Sequence, residues 1–260
     1  MTLLDIELIP NENLDKMNPI KERQDIFIPN IINECIPNRN GFIYLLCGSG
    51  GSGKTSLLLN MMKSKKMYKK KFNNIFYFCP EASFRSVKNH PFENHNKLYH
   101  ELTVELLDTI YNSLEELRNE EKEEIFDDEG NLKETIHHPS KYNCIIIDDF
   151  ADALKDIEIQ KYLSKMIIKA RHLCCSFIFT LQSYLYYPKL LRKQITNITI
   201  FKPKNTEEFL NLSKELFNMK IDDALLLFNY VFDDKYGHLD VDTWTNEYCK
   251  NFNKLLLTFS

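Results

Sequence analysis

The sequence predicts an α/β fold, in which a mainly parallel core sheet of roughly five strands is flanked by helices and followed by a C-terminal helical extension. Short apolar runs alternate with segments of helical period, one run stops in a cluster of glycines, and another stops in two aspartates. Strands covered on both faces read as unbroken apolar runs, which is the pattern of a buried parallel sheet.

The first 40 residues, rich in Asn, Pro and Ile without a period, read as a lead-in arm, with at most a short strand at Ile26–Ile28 before Pro29. A core over residues 41–204 follows. Phe42–Cys47 is the first strand, and Leu57, Leu58, Met61 and Met62 recur at helical spacing beyond the glycines. Asn74–Cys79 is a second strand closed by Pro80, and Leu98–Glu124 carries a helical pattern with charged faces. Cys144–Ile147, Ser176–Thr180 and Thr196–Phe201 complete the five strands, with a helix over Ile157–His172 before the fourth. Residues 205–260 are expected to add two helices, Thr206–Leu216 and Ile221–Val231, a turn at Tyr236–Asp240 and a tail with the single Trp244. Nine acids in the fifteen residues Glu115–Glu129 mark an acidic surface insertion, over about 115–140, at a solvated helix end and loop.

Composition bounds the function. In 260 residues, 43% hydrophobic and 27% charged content supports one sizeable core or two small ones and excludes disordered or collagenous chains. No apolar run approaches the ~18 residues a membrane span needs, so no membrane insertion is expected. Acids in Met1–Leu8 sit where a secretory signal needs bases, which makes an intracellular location the expectation. A net charge of −4 leaves any nucleic-acid contact to a local basic patch. Seven cysteines without a CxxC pair, among them Cys47, Cys79, Cys144, Cys174 and Cys175 in or beside apolar runs, are expected to be reduced core residues.

Gly48-Ser49-Gly50-Gly51-Ser52-Gly53-Lys54-Thr55 satisfies G-x-x-x-x-G-K-[ST] between a strand and a helix, with Ser56 next in line. The chain holds seven glycines and places four of them here, so the cluster has a purpose beyond chance turns. In such a P-loop the backbone N–H groups surround phosphate oxygens, the lysine reaches the β and γ phosphates, and the threonine hydroxyl ligates Mg2+. ATP and Mg2+ are the expected ligands.

A second Mg2+ ligand has to come from a neighbouring strand, and Asp148, closing Ile145–Ile147, supplies it. Asp149 is then placed to polarise the attacking water, with Glu81 as its rival because it follows a strand and Pro80 on the same rim. Gln182, just past the fourth strand, can sense the γ-phosphate or orient the water. Arg192, in the loop before the fifth strand, is the first candidate for a cation that neutralises transition-state charge, with Arg171 as its rival at a helix end.

Taken in order, Gly-Ser-Gly-Gly-Ser-Gly-Lys-Thr, Ile-Ile-Ile-Asp-Asp, Ala-Arg-His, Phe-Thr-Leu-Gln and Leu-Arg-Lys-Gln-Ile-Thr-Asn resemble the poxvirus-type DNA-packaging ATPases of the FtsK/HerA superfamily, over about Gly41–Lys204. That resemblance implies Lys54 and Thr55 on phosphate and metal, Asp148 as the acidic Mg2+ partner, Asp149 in the catalytic acid's place and Gln182 as sensor. It further implies a homo-oligomeric ring that threads double-stranded DNA by ATP hydrolysis, with an arginine of one subunit at its neighbour's nucleotide. Capsid or portal-type proteins would be its partners, and the host cytoplasm or a virus factory its location, with virion association as a further expectation. Asp-Asp stands where the family has Asp-Glu.

Lys63, Lys65, Lys66, Lys69, Lys70 and Lys71, with Tyr68 among them, form the local basic patch at the far end of the P-loop helix. It suits either sequence-independent phosphate contact or a solvated helix end. A nucleoside or nucleotide kinase and a nucleotide-regulated interaction module share the P-loop, but the first lacks an arginine-rich lid here and the second has no use for paired aspartates.

Overall fold

The computed structural model describes residues 26–257 except 121, 127, 128, 131, 138–140 and 218, and leaves the side chains of 122–126 and 132–137 aside. Most of the expected N-terminal arm therefore lies outside the described residues. Along the chain run β1 (Ile43–Cys47), α1 (Lys54–Lys63), β2 (Asn74–Phe78), α2 (Glu81–Arg85), β3 (Leu98–Tyr99), α3 (Val104–Glu120), β4 (Lys122–Phe126), β5 (Leu132–His137) and β6 (Asn143–Asp148). There follow α4 (Ile157–Ile168), β7 (Cys175–Leu181), α5 (Lys189–Arg192), β8 (Asn197–Phe201), α6 (Thr206–Glu215), α7 (Ile221–Val231), β9 (His238–Asp242), β10 (Glu247–Lys250) and β11 (Asn253–Leu255).

The five expected strands are β1, β2, β6, β7 and β8, adjacent and parallel, but the sheet is larger than expected. It has nine strands in the order β11-β10-β9-β8-β1-β7-β6-β2-β3. β3 extends one edge in parallel with β2. β9, β10 and β11 extend the other edge in antiparallel fashion, so the C-terminal segment is half helical and half sheet rather than a helical extension. These strands are short, and buried Asp240 and His238 interrupt their apolar character, which hid them from periodicity. The acidic segment also differs from a plain loop: α3 ends at Glu120, and β4 and β5 pair as a separate antiparallel hairpin.

Because side chains alternate across a strand, β1 feeds two cores. Ile43, Leu45 and Cys47 pack with Leu107 and Leu114 of α3 and Leu163 and Met166 of α4, while Tyr44 and Leu46 meet Leu58, Met61 and Met62 of α1 on the opposite face. Helix starts follow local chemistry. Asp156 caps α4 by accepting from the backbone N–H groups of Glu158 and Ile159 at 2.7 and 3.4 Å, and Asn205 caps α6 through Glu208 N–H at 2.8 Å.

Cys47, Cys79, Cys144, Cys174 and Cys175 are free and buried. Cys35 and Cys249 correct the expectation of reduced thiols throughout: they form a disulfide that ties the segment before β1 to β10, across 214 residues of sequence. No spacing rule announces a pair so far apart.

Candidate active site

β1, β6 and β7 run in parallel, so their carboxyl ends meet at one edge of the sheet, where a ligand sits beyond the strands of an open α/β sheet. The glycine loop leaves β1 at this edge. Gly51 (φ 76°) and Gly53 (φ 104°) adopt left-handed backbone that a side chain disfavours. Gly53 precedes α1 without any side-chain cap, which leaves the first N–H groups of that helix for an anion. A Cβ on Gly50 or Gly51 would meet nothing within 4 Å, so their smallness serves something other than the protein's own packing. The Ser52 hydroxyl is buried without a hydrogen-bond partner, as an atom awaiting a ligand would be. Ser49 holds the turn through its carbonyl, which accepts from Ser52 N–H at 3.1 Å, and Ser56 faces the cleft.

Lys54 is nearly buried and folds back on the loop, its ammonium donating to the carbonyls of Gly48 at 2.6 Å and Ser49 at 3.1 Å. Burial pulls its pKa below the ordinary lysine value, against Asp149 and Asp148, which hold the charge in place. Asp148 is 1% exposed at the end of β6. Its Oδ1 accepts from the Thr180 hydroxyl and, at 3.5 Å, from the Thr55 hydroxyl, and its Oδ2 accepts from the Tyr77 hydroxyl at 2.7 Å. Burial pushes its carboxyl up, and the Thr180 and Tyr77 hydrogen bonds hold it down. Thr55 and Asp148 thus present two hard oxygen donors to one point beside the phosphate loop, which is the donor chemistry Mg2+ takes.

Asp149 takes a positive φ of 62°, an uncommon backbone for a residue with a side chain. Its Oδ2 accepts from the Ser83 hydroxyl at 2.8 Å and its Oδ1 from the Gln182 amide at 3.4 Å. Lys54, Thr55, Asp148, Asp149 and Gln182 therefore converge. Glu81 does not join them with the same economy: its side chain is 58% exposed and pairs with Arg85 on its own short helix.

Arg192 calls for a correction. It is 8% exposed, its guanidinium donating to the Leu185 and Tyr187 carbonyls at 3.1 and 3.0 Å and to both oxygens of Glu215 at 3.0 and 3.3 Å, with its charge over the Tyr184 ring. A cation so engaged within its own chain braces α5 against α6 rather than standing free at the surface. Arg171 is exposed at the opposite edge of the sheet, before β7, 4.5 Å over the ring of Trp244. In the lysine patch, Tyr68 offers no ring for stacking on a base, since it is buried against Phe42 with its hydroxyl on the Pro37 carbonyl. The lysines at 63, 65, 66, 69 and 70 are exposed.

Sequence reasoning missed Tyr77, Ser83 and Thr180, which hold the two aspartates. Thr180 had a signal, since it lies in register with Asp148 on the adjacent strand, but only after strand order is known. Also missed were Phe201, Tyr236, His238 and Asn251, which face α1 across the cleft. Among the described residues no cluster of three or more His, Cys, Asp or Glu could hold a metal, and no helix is long and apolar enough to cross a membrane.

The fold has solved counterparts. The DNA-packaging ATPase B204 of Sulfolobus turreted icosahedral virus superposes with a TM-score of 0.57 at 15% identity, over 81% of this chain and 97% of that one. The genome packaging NTPase B204 of Sulfolobus turreted icosahedral virus 2, in complex with AMP, gives 0.52 at 15% identity over 84% and 100%. The cytoplasmic domain of the Thermomonospora curvata Type VII secretion ATPase EccC gives 0.51 at 12% identity, over 83% of this chain and 24% of that one. No curated protein matches by sequence. At these identities the likeness shows the fold alone; the sequence itself fits the family model of the Poxvirus A32 protein across residues 37–235. By that match the chain belongs to the Poxvirus A32 protein family.

Proposed function

We propose that this chain is an ATP-hydrolysing motor that drives double-stranded DNA into a viral capsid, acting as a head-to-tail ring in the infected cell. The observation that carries the reading is the convergence of Lys54, Thr55, Asp148 and Asp149 at one sheet edge around a glycine loop with open N–H groups.

The loop amides and the start of α1 bind the phosphates, and Lys54 swings from the Gly48 and Ser49 carbonyls to the γ-phosphate, exchanging two neutral acceptors for an anion. Thr55 and Asp148 would hold Mg2+, which neutralises charge on the β and γ oxygens. Tyr77 and Thr180 keep Asp148 from turning. Asp149 accepts the proton of the attacking water, and Gln182, already bonded to it, orients that water on the γ-phosphate. Glu81 would have to break its pair with Arg85 and withdraw from solvent to compete.

In a ring built head to tail, each nucleotide meets a different surface of the next subunit. Arg171, exposed at the edge away from its own cleft, suits that surface; Arg192 does not. The lysines of residues 63–71 supply salt-dependent, sequence-independent contact to DNA phosphates. Hydrolysis measured with and without duplex DNA tests the proposal. Stimulation by DNA that vanishes in Lys54→Ala supports it; hydrolysis indifferent to DNA, or phosphate transferred to a nucleoside, overturns it.

A further inference from the structure

The cleft beside the phosphate loop has a volume of about 560 Å3 and extends past Thr55 between two walls of different origin. Leu57 and Asn60 of α1 form one. Phe201, Tyr236, His238 and Asn251, all from the C-terminal part of the chain, form the other. We propose that this is the nucleobase site, in which the Tyr236 ring stacks on the base of ATP and the amides of Asn60 and Asn251 bond its edge. The inference rests on the ATP reading above and says which residues read the base.

Topology brings the second wall to the right edge. β8 runs parallel to β1, so it ends beside the glycine loop; β9 is antiparallel to β8 and therefore begins there, with His238 opposite Phe201. β10 returns antiparallel to β9 and ends there again, which delivers Asn251. The ring reaches the loop itself, since a Cβ on Gly53 would lie 3.6 Å from Tyr236 Cδ1 and 3.8 Å from Phe201 Cε1. A nucleotide whose phosphates lie on residues 48–55 has its base directed along this continuous cleft.

The wall is built to stay in place. Phe201 presses on the glycine loop so closely that a Cβ on Gly48 would come within 2.5 Å of it. A Cβ on Gly237 would come within 2.6 Å of the Val231 carbonyl, so glycine is required for the turn that presents Tyr236. Behind the surface, His238 Nδ1 is bonded to buried Asp240 at 2.9 Å, Asp240 accepts from Thr199 at 2.6 Å, and Thr199 meets the Tyr44 hydroxyl at 2.6 Å. Tyr236 stands out against that rigid backing with 57% of its surface exposed. Aromatic rings left open beside polar groups are what base stacking uses, whichever base is bound. Asn251 accepts from His238 N–H at 2.9 Å through its Oδ1, which turns its NH2 donor away from the strand. Among the described residues the exposed Asn60 amide has no hydrogen-bond partner and offers both a donor and an acceptor.

The test separates base from phosphate. Calorimetric titrations of the wild type, Tyr236→Ala and Tyr236→Phe, with ATP and with inorganic tripolyphosphate in the presence of Mg2+, should show Tyr236→Ala losing about tenfold in ATP affinity. Its tripolyphosphate affinity should not change, and Tyr236→Phe should bind like the wild type. Asn60→Ala should lower ATP affinity without touching tripolyphosphate. Equal losses on both ligands, or an unchanged ATP affinity in Tyr236→Ala, overturn the base site while leaving the ATPase reading in place. A wild type that binds neither ligand brings down both.

Discussion

The two halves of the sheet do different work. In the parallel half, β1, β6 and β7 are apolar along their buried length and run the same way, so every polar residue just past a strand end arrives at the same edge. In the antiparallel half, β9 to β11 turn back on themselves, and what reaches that edge is a pair of turns, at residues 236–237 and 251–252. Chemistry is concentrated by common direction, and the wall that faces it is supplied by reversal. On the functions proposed above, the parallel half cuts phosphate and the antiparallel half holds the base.

If that division is right, substitutions in the parallel half stop turnover in a protein that remains folded. Lys54→Ala should lower the hydrolysis rate by about 10³-fold, since a charged donor to a developing oxyanion is removed, with an unchanged melting curve as the control. Asp149→Asn should cost about 10²-fold, because the Gln182 amide still orients water but no base takes its proton; a rate within twofold of wild type would move the base elsewhere and break the comparison at its centre. Arg192→Met, outside the cleft altogether, should lower stability by about 2 kcal/mol, since it leaves Glu215 without its cation and two carbonyls without their donor. Differential scanning calorimetry would read this as a fall of ~4–8 °C in melting temperature. Mixed with wild type, that variant should depress activity only in proportion to its fraction, whereas Arg171→Ala should depress it by more. Replacing Lys65 and Lys66 by Gln should make log DNA affinity fall less steeply with log salt, the slope shrinking by about one for each DNA phosphate no longer neutralised. Smallest of all, Glu81→Gln should leave hydrolysis within about twofold, as expected of an exposed surface residue.

The same division explains how much could be read in advance. The glycine loop is legible because all its parts lie within eight consecutive residues, and Asp148–Asp149 because they close an unbroken apolar run. The partners that hold Asp148 come from β2 and β7, and neither Tyr77 nor Thr180 has any sequence feature that singles it out within an apolar strand. Arg192 looked like a free cation because the sequence sets it in a loop before the fifth strand; its partner Glu215 is 23 residues away on α6. Tyr236 was legible as a turn residue only and Asn251 not at all, since the pairing of β8, β9 and β10 is what sets both beside the glycine loop.

From sequence alone come the five parallel strands, the phosphate loop, the paired aspartates and the family, because each is written in contiguous residues whose hydrogen bonding and polarity are settled within a turn or a strand. Tertiary structure decided the nine-strand order, the Cys35–Cys249 bridge, the brace role of Arg192 and the wall opposite α1. Those depend on which distant segments pack together, and burial energy summed over both faces of a sheet, not any local preference, makes that choice.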